Sequence, residues 1–230
     1  MTVAAIVLVP DEAAALGDAD GEPALRRVVH AAWSGGALPI VVVAGQVAGP
    51  LADALADLPV TLDRPATPAP GIAWFVSGQR AALAAVSEAT AGLLWPFRHV
   101  WVDPETVTSL VEAHGVTPEA IIRPSYGDRA GFPILLPVAL MERFAAQAPS
   151  HGEEAVSALI AEGAAVRVLE LGDPGIVFDI GTPRAELPVY QGPPQPNGPS
   201  QEWNAELAAH AQASEGAARE VRPRSVGPAT

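Results

Sequence analysis

The chain is 230 residues long with a formal charge of -13 at pH 7, from 26 acidic against 13 basic side chains, and 49% of it is hydrophobic. That apolar share excludes a mainly disordered protein and suits one large domain, while scattered basic residues in so acidic a chain argue against a nucleic-acid partner. There is no cysteine and every basic residue is an arginine, which removes disulfide frameworks, zinc-thiolate and iron-sulfur sites, thiol nucleophiles, P-loop lysines and Schiff-base lysines.

The first run, Val3 to Val9, is short, β-branched and apolar at successive positions, the pattern of a strand buried on both faces of a parallel sheet. It stops at Pro10-Asp11-Glu12 without a basic leader, too short for a signal or a spanning helix, so the chain reads as soluble and cytoplasmic, with no membrane partner. An acidic loop is expected from Pro10 to Glu22. A helix from Ala24 then places Leu25, Val28, Val29, Ala32 and Trp33 on one face, and Gly35-Gly36 stops it. Pro39 to Val43 predicts a second buried strand, Gly49 to Leu58 a helix and Val60 to Leu62 a short strand.

After a proline-rich loop, Gln79 to Thr90 has alanine and leucine at helical spacing, and Gly92 to Phe97 predicts an interior strand. Asp103 is an N-cap with Pro104 at N1, opening a helix with Val107, Leu110 and Val111 on one side that runs to Gly115. Ala120 to Tyr126 and Phe132 to Leu136, around Gly127 to Gly131, predict a hairpin that interrupts the parallel pattern. Helices are expected near Val138 to Ala146 and Glu153 to Glu162, and closing strands at Val166 to Leu171 and Gly175 to Ile180. The fold-bearing domain is thus 1–190. Residues 191–230, rich in Pro, Gly, Ser, Ala and Glu, read as a mostly disordered tail in which Ser200 caps a short helix carrying Trp203 and Leu207, or in which Trp203 is a stray side chain.

Several words, in this order, resemble the MobA-like NTP transferases, above all their molybdenum-cofactor cytidylyltransferase branch, over roughly 3–188. They are Gly21-Glu22-Pro23-Ala24-Leu25, Val41-Val42-Val43-Ala44-Gly45, Ser77-Gly78-Gln79-Arg80, Asp103-Pro104-Glu105, Arg123-Pro124-Ser125-Tyr126, Gly131-Phe132-Pro133 and Asp179-Ile180-Gly181-Thr182-Pro183. The resemblance implies an α/β, three-layer, mostly parallel Rossmann-like sheet with an antiparallel hairpin insertion, like the nucleotide-diphospho-sugar transferases. It also implies a nucleotide cleft with Gly17, Ser77, Arg80, Arg98 and Asp103 as candidate lining residues and Asp179 as candidate metal ligand, served by Mg²⁺ with CTP or GTP.

Against that pattern stand several departures. The first loop carries Pro10 and the acids Asp11, Glu12, Asp18, Asp20 and Glu22 where small residues and cations are expected. Arg98 falls on the position of the family's metal aspartate, Gly181 replaces a second aspartate, and Phe132 stands in a histidine position. Two readings follow from the resemblance. One is a catalytically impaired domain that binds a protein partner or a small ligand. The other is an active Mg²⁺-dependent nucleotidyltransferase, on a molybdopterin-like or sugar-phosphate acceptor, with Asp103 and Asp179 holding the metal. His99 is either a general base or a hydrogen-bonding core residue, and Asp173 a cation ligand or a turn residue. Arg80, Arg123 and Arg129 form an anion cluster only if the hairpin folds over the sheet.

Overall fold

The computed structural model describes residues 2–67, 71–147 and 152–192. The segment read as a tail, with its Trp203 and Leu207 motif, lies outside the described residues.

Chain order gives β1 (Thr2–Val9), α1 (Glu12–Ala15), α2 (Ala24–Ser34), β2 (Ile40–Ala44), α3 (Pro50–Leu55), β3 (Val60–Asp63), α4 (Ile72–Ala85), β4 (Ala89–Pro96) and α5 (Pro104–Val116). The second half is β5 (Ile121–Tyr126), β6 (Arg129–Ala130), β7 (Ile134–Pro137), α6 (Met141–Ala146), α7 (Gly152–Ala161) and β8 (Val166–Glu170). All eight strands form one sheet in the order β3-β2-β1-β4-β7-β5-β6, with β8 also on β5. β1 pairs in parallel with β2 and β4, and β2 with β3, whereas β7 runs antiparallel to both β4 and β5. The antiparallel interruption read from the glycine-rich turn is therefore present, at the centre of the sheet.

The period of two in β1 explains the layers. Val3, Ala5, Val7 and Val9 face a core shared with α2, α3 and α5, while Ala4 and Ile6 face a second core with α4, α6 and α7. Both faces are covered, as a mostly parallel sheet requires. Close approach of α4 depends on Gly78, where a Cβ would stand 2.5 Å from Ile6 Cγ2 and 2.7 Å from Val43 Cγ2.

Several expectations are corrected. The acidic loop contains α1, because Asp11 accepts from the Ala14 N–H at 3.0 Å and starts a helical turn. The helix expected at 79–90 begins seven residues earlier, with Ile72, Trp74 and Phe75 buried against the second core, and Thr90 belongs to β4. The helix expected at 49–58 is confined to Pro50–Leu55. Trp33 is 49% exposed, the buried positions beside it being Ala31 and Ala32. Gly175 to Ile180 is no strand. Asp173 accepts from the Gly175 N–H at 2.8 Å and closes a 3₁₀ turn over Pro174–Ile176, so these backbone groups are spent in a turn. Among the described residues no helix is long and apolar enough to cross a membrane.

Candidate functional site

In open α/β sheets ligands meet the carboxyl ends of parallel strands, here the ends of β1, β2 and β4. A Phe97 N–H bond to the Leu8 carbonyl, 3.1 Å, extends the β1 and β4 pairing one rung. Arg98 is therefore delivered beside the start of the acidic loop.

Arg98 is held by an acid 81 positions away. Its Nε and a terminal nitrogen donate to one carboxylate oxygen of Asp179 at 3.0 and 2.9 Å, and the other oxygen accepts from the Gly181 N–H at 2.9 Å. The Ile180 N–H bonds to the Arg98 carbonyl at 2.8 Å and fixes the two segments together. Partial burial pushes the Asp179 carboxyl upward, but the Gly181 N–H and Arg98 together hold it below the usual range.

This set does not fit a divalent cation. Like unit charges about 4 Å apart repel by roughly 4 kcal/mol at an effective dielectric near 20, about twice that for a divalent ion, and arginine cannot deprotonate to escape. Nor do the described residues contain a group of three or more His, Asp or Glu placed to hold a metal. Asp179, the candidate metal ligand, is thus an ion-pair partner of Arg98.

Asp103 has a local role. Its side chain caps α5 by accepting from the Glu105 N–H at 2.9 Å, and its own N–H donates to Asp173 at 2.9 Å. It lines a cavity against α2, and no hydrogen bond or ion pair joins it to Asp179 among the described residues. The cap was legible from the Asp-Pro pair, and a cap is what the residue is.

The phosphate side of the expected cleft is also spent internally. The Gly17 N–H bonds to the Ala14 carbonyl at 3.1 Å, so it does not face an anion. Glu12 accepts the Gln46 N–H at 2.9 Å, and Asp18 the Gly21 N–H at 3.2 Å. These backbone donors are satisfied within the chain, Gly17 by a carbonyl and Gln46 and Gly21 by carboxylates. Ser77 donates to Asp63, at the end of β3, at 2.6 Å. Arg80 lies one turn further along α4, exposed, with no ion pair among the described residues. Of the six candidate site residues, only Arg98 and Asp179 are joined to each other.

The three-arginine cluster does not form. Arg123 pairs with Glu153 at 2.9 Å, and Arg129 lies over the Phe178 ring at 5.3 Å with a 3.4 Å bond to the Val177 carbonyl. His99 stacks on Phe132, ring centres 5.0 Å apart, and burial lowers it to about 4. Asp173 is buried and accepts from Asp103, Thr106 and Gly175, the turn arrangement rather than a cation site. Sequence reading missed Glu12 as the ligand of the Gln46 N–H and Asp63 as the partner of Ser77. Neither has a local signal, since each contact crosses between elements.

A family model described as the MobA-like NTP transferase domain matches residues 14–166. No curated protein matches the chain. Among solved structures, Rv0371c of Mycobacterium tuberculosis H37Rv in complex with manganese is 21% identical, with a TM-score of 0.58 over 74% of this chain and 88% of that one. A Methanothermobacter nucleotidyl transferase, Mth528, is 15% identical, with a TM-score of 0.63 over 78% and 91%. The 2-C-methyl-D-erythritol 4-phosphate cytidylyltransferase of Thermus thermophilus is 18% identical, with a TM-score of 0.56 over 80% and 94%. At these identities the likeness is one of fold, and it agrees with the three-layer mixed sheet.

Proposed function

The chain belongs to the MobA-like NTP transferase family, and we propose that it is a member in which metal-dependent nucleotidyl transfer has been lost and the domain acts by binding a protein partner or a small ligand in the cytoplasm. The observation that carries this reading is the Arg98 to Asp179 ion pair, which puts a fixed positive charge against the carboxylate that the family resemblance assigns to the metal. Transfer of a nucleoside monophosphate requires neutralisation of a triphosphate, supplied by a metal ion and oriented backbone or basic donors. The inward-turned loop, with Gly17, Glu12 and Asp18 bonded within the protein, supports the same reading from the phosphate side.

Calorimetry of the full chain with CTP and with GTP, each with and without Mg²⁺, tests it. The expected result is no metal-dependent binding. Metal-dependent binding that disappears in Asp179→Asn overturns the proposal and favours an active transferase on a molybdopterin-like or sugar-phosphate acceptor.

A further inference from the structure

On one side the sheet ends at β8, which among the described residues pairs with β5 alone. The Ile121 N–H bonds to the Ala165 carbonyl at 2.9 Å and the Leu171 N–H to the Ser125 carbonyl at 3.1 Å, so the odd-numbered backbone groups of β8 face β5. Because a strand alternates, the N–H and C=O groups of Val166, Val168 and Glu170 point the other way, and among the described residues they have no backbone partner. That leaves an open edge in register for one more strand.

Side chains along this edge divide by face. Val166 and Val168 share the side of Ile121 and Arg123, lie outside the second core, and remain 41% and 58% exposed. Glu170, on the same face, is turned back onto the Ser125 hydroxyl and the Gly127 N–H. Arg167 and Leu169 share the side of Ile122, and Leu169 packs against the first core. Arg167 is partly buried and has no ion pair among the described residues. A guanidinium cannot shed its charge, so this edge carries an uncompensated cation in an otherwise acidic chain.

A second copy of the chain fits the edge badly. The outward backbone groups require even-numbered residues of β8 to stand opposite one another. Val166 against Val168 sets Arg167 directly opposite its own copy, and Val168 against itself brings the two guanidiniums onto the diagonal, where long side chains still meet. Val168 against Glu170 runs the pairing into Gly172, whose φ of +62° ends the extended run. A strand with a carboxylate opposite Arg167 has none of these conflicts and compensates the free cation.

We propose that β8 is a docking edge for an extended segment of a protein partner, added antiparallel, with β-branched residues opposite Val166 and Val168 and a carboxylate opposite Arg167. Backbone hydrogen bonds supply the attachment, and the carboxylate selects the segment. The inference rests on the protein-partner form of the proposed function and gives it a surface. Nucleotide binding tests the loss of transfer and peptide binding tests this edge, so either can fail alone.

The probe is a fluorescein-labelled, amidated peptide, Gly-Lys-Val-Val-Glu-Val-Gly, whose central valine stands opposite Val168 and whose glutamate stands opposite Arg167. Anisotropy titration with the full chain should give saturable binding with a Kd below about 1 mM, the weak end of specific binding. N-methylation of the central valine removes a donor that faces β8 and should weaken binding about tenfold or more, whereas N-methylation of the glutamate, whose N–H points away, should change it by less than about threefold. Arg167→Glu should lose about tenfold, and a peptide with lysine in place of the glutamate should recover the loss on that variant. Val168→Pro removes an outward N–H and leaves the bonds to β5, so it should lose affinity by a similar factor while its urea midpoint stays near that of wild type. The N-methyl comparison uses wild-type protein and decides the matter whether or not either variant folds. Absence of saturable binding at about 1 mM protein overturns the proposal, as do equal effects of the two N-methyl groups or a charge swap that recovers nothing. A dimer in sedimentation that Val168→Pro dissolves overturns it too, since a second copy then occupies the edge.

Discussion

Arg98 and Asp179 meet as an ion pair across 81 positions of chain. At 48% and 39% side-chain exposure the pair belongs to the class of surface ion pairs, which contribute about 0–1 kcal/mol. Its weight is electrostatic and local rather than stabilising. His99 behaves differently, because it is held neutral. Burial outweighs the upward pull of Asp179, the Gly175 backbone and Glu153 and acts with Arg98 to lower it from 6.5 to about 4. The unfolded chain takes up a proton near pH 6.5 that the folded chain refuses, so stability is full above that pH and is lost as pH falls from about 6.5 towards 4. We expect His99 to account for a loss on the order of 2 kcal/mol over this window, discounted for its partial exposure. Urea unfolding between about pH 7 and 4.5 should show a shallower decline in His99→Phe than in wild type; an unchanged slope assigns the effect elsewhere. His114, also lowered by burial, contributes in the same direction. At this scale local chemistry was legible, as with the Asp103 cap and the Asp173 turn. The pairing of Arg98 with an acid 81 residues away was not, because nothing in either neighbourhood encodes the other.

Asp173 ties two elements together. Its buried carboxylate joins the turn at Pro174 to the first turn of α5 through the Asp103 N–H, the Thr106 hydroxyl and the Gly175 N–H. Removing it strands three donors, and Asp173→Ala is expected to destabilise by about 3 kcal/mol. Equilibrium urea unfolding should show a lower midpoint with an unchanged m-value, and a loss below about 1 kcal/mol contradicts this role. Elements defined by their own chemistry were readable beforehand. β1 shows its two-sided apolar pattern, and α5 has Asp103 and Pro104 at its start. The start of α4 was missed because its first turn, Ile72 to Phe75, is apolar on several sides and the period is weak where both flanks are buried. Trp33 was misplaced for the converse reason, since large apolar residues are not always inward.

The whole molecule carries 26 acids against 13 arginines. Self-repulsion opposes the compact state and is screened over about 10 Å at 0.1 M salt. Raising NaCl from about 0.01 to 0.3 M should therefore raise the melting temperature by a few degrees; a fall means that pairs such as Arg26 with Asp57, at 2.6 Å, outweigh the repulsion.

By itself the sequence determined the layered α/β architecture, the antiparallel interruption and the family, because strand period, turn glycines and helix caps act over a few residues and are written where they act. It also showed that cations were missing from the first loop. Only the tertiary structure decided what replaced them. Arg98 meets Asp179, Glu12 meets Gln46, and Asp103 faces α2 across a cavity. Those outcomes depend on which strand ends and turns the sheet order brings side by side, and electrostatics at a few ångströms has no counterpart in spacing along the chain.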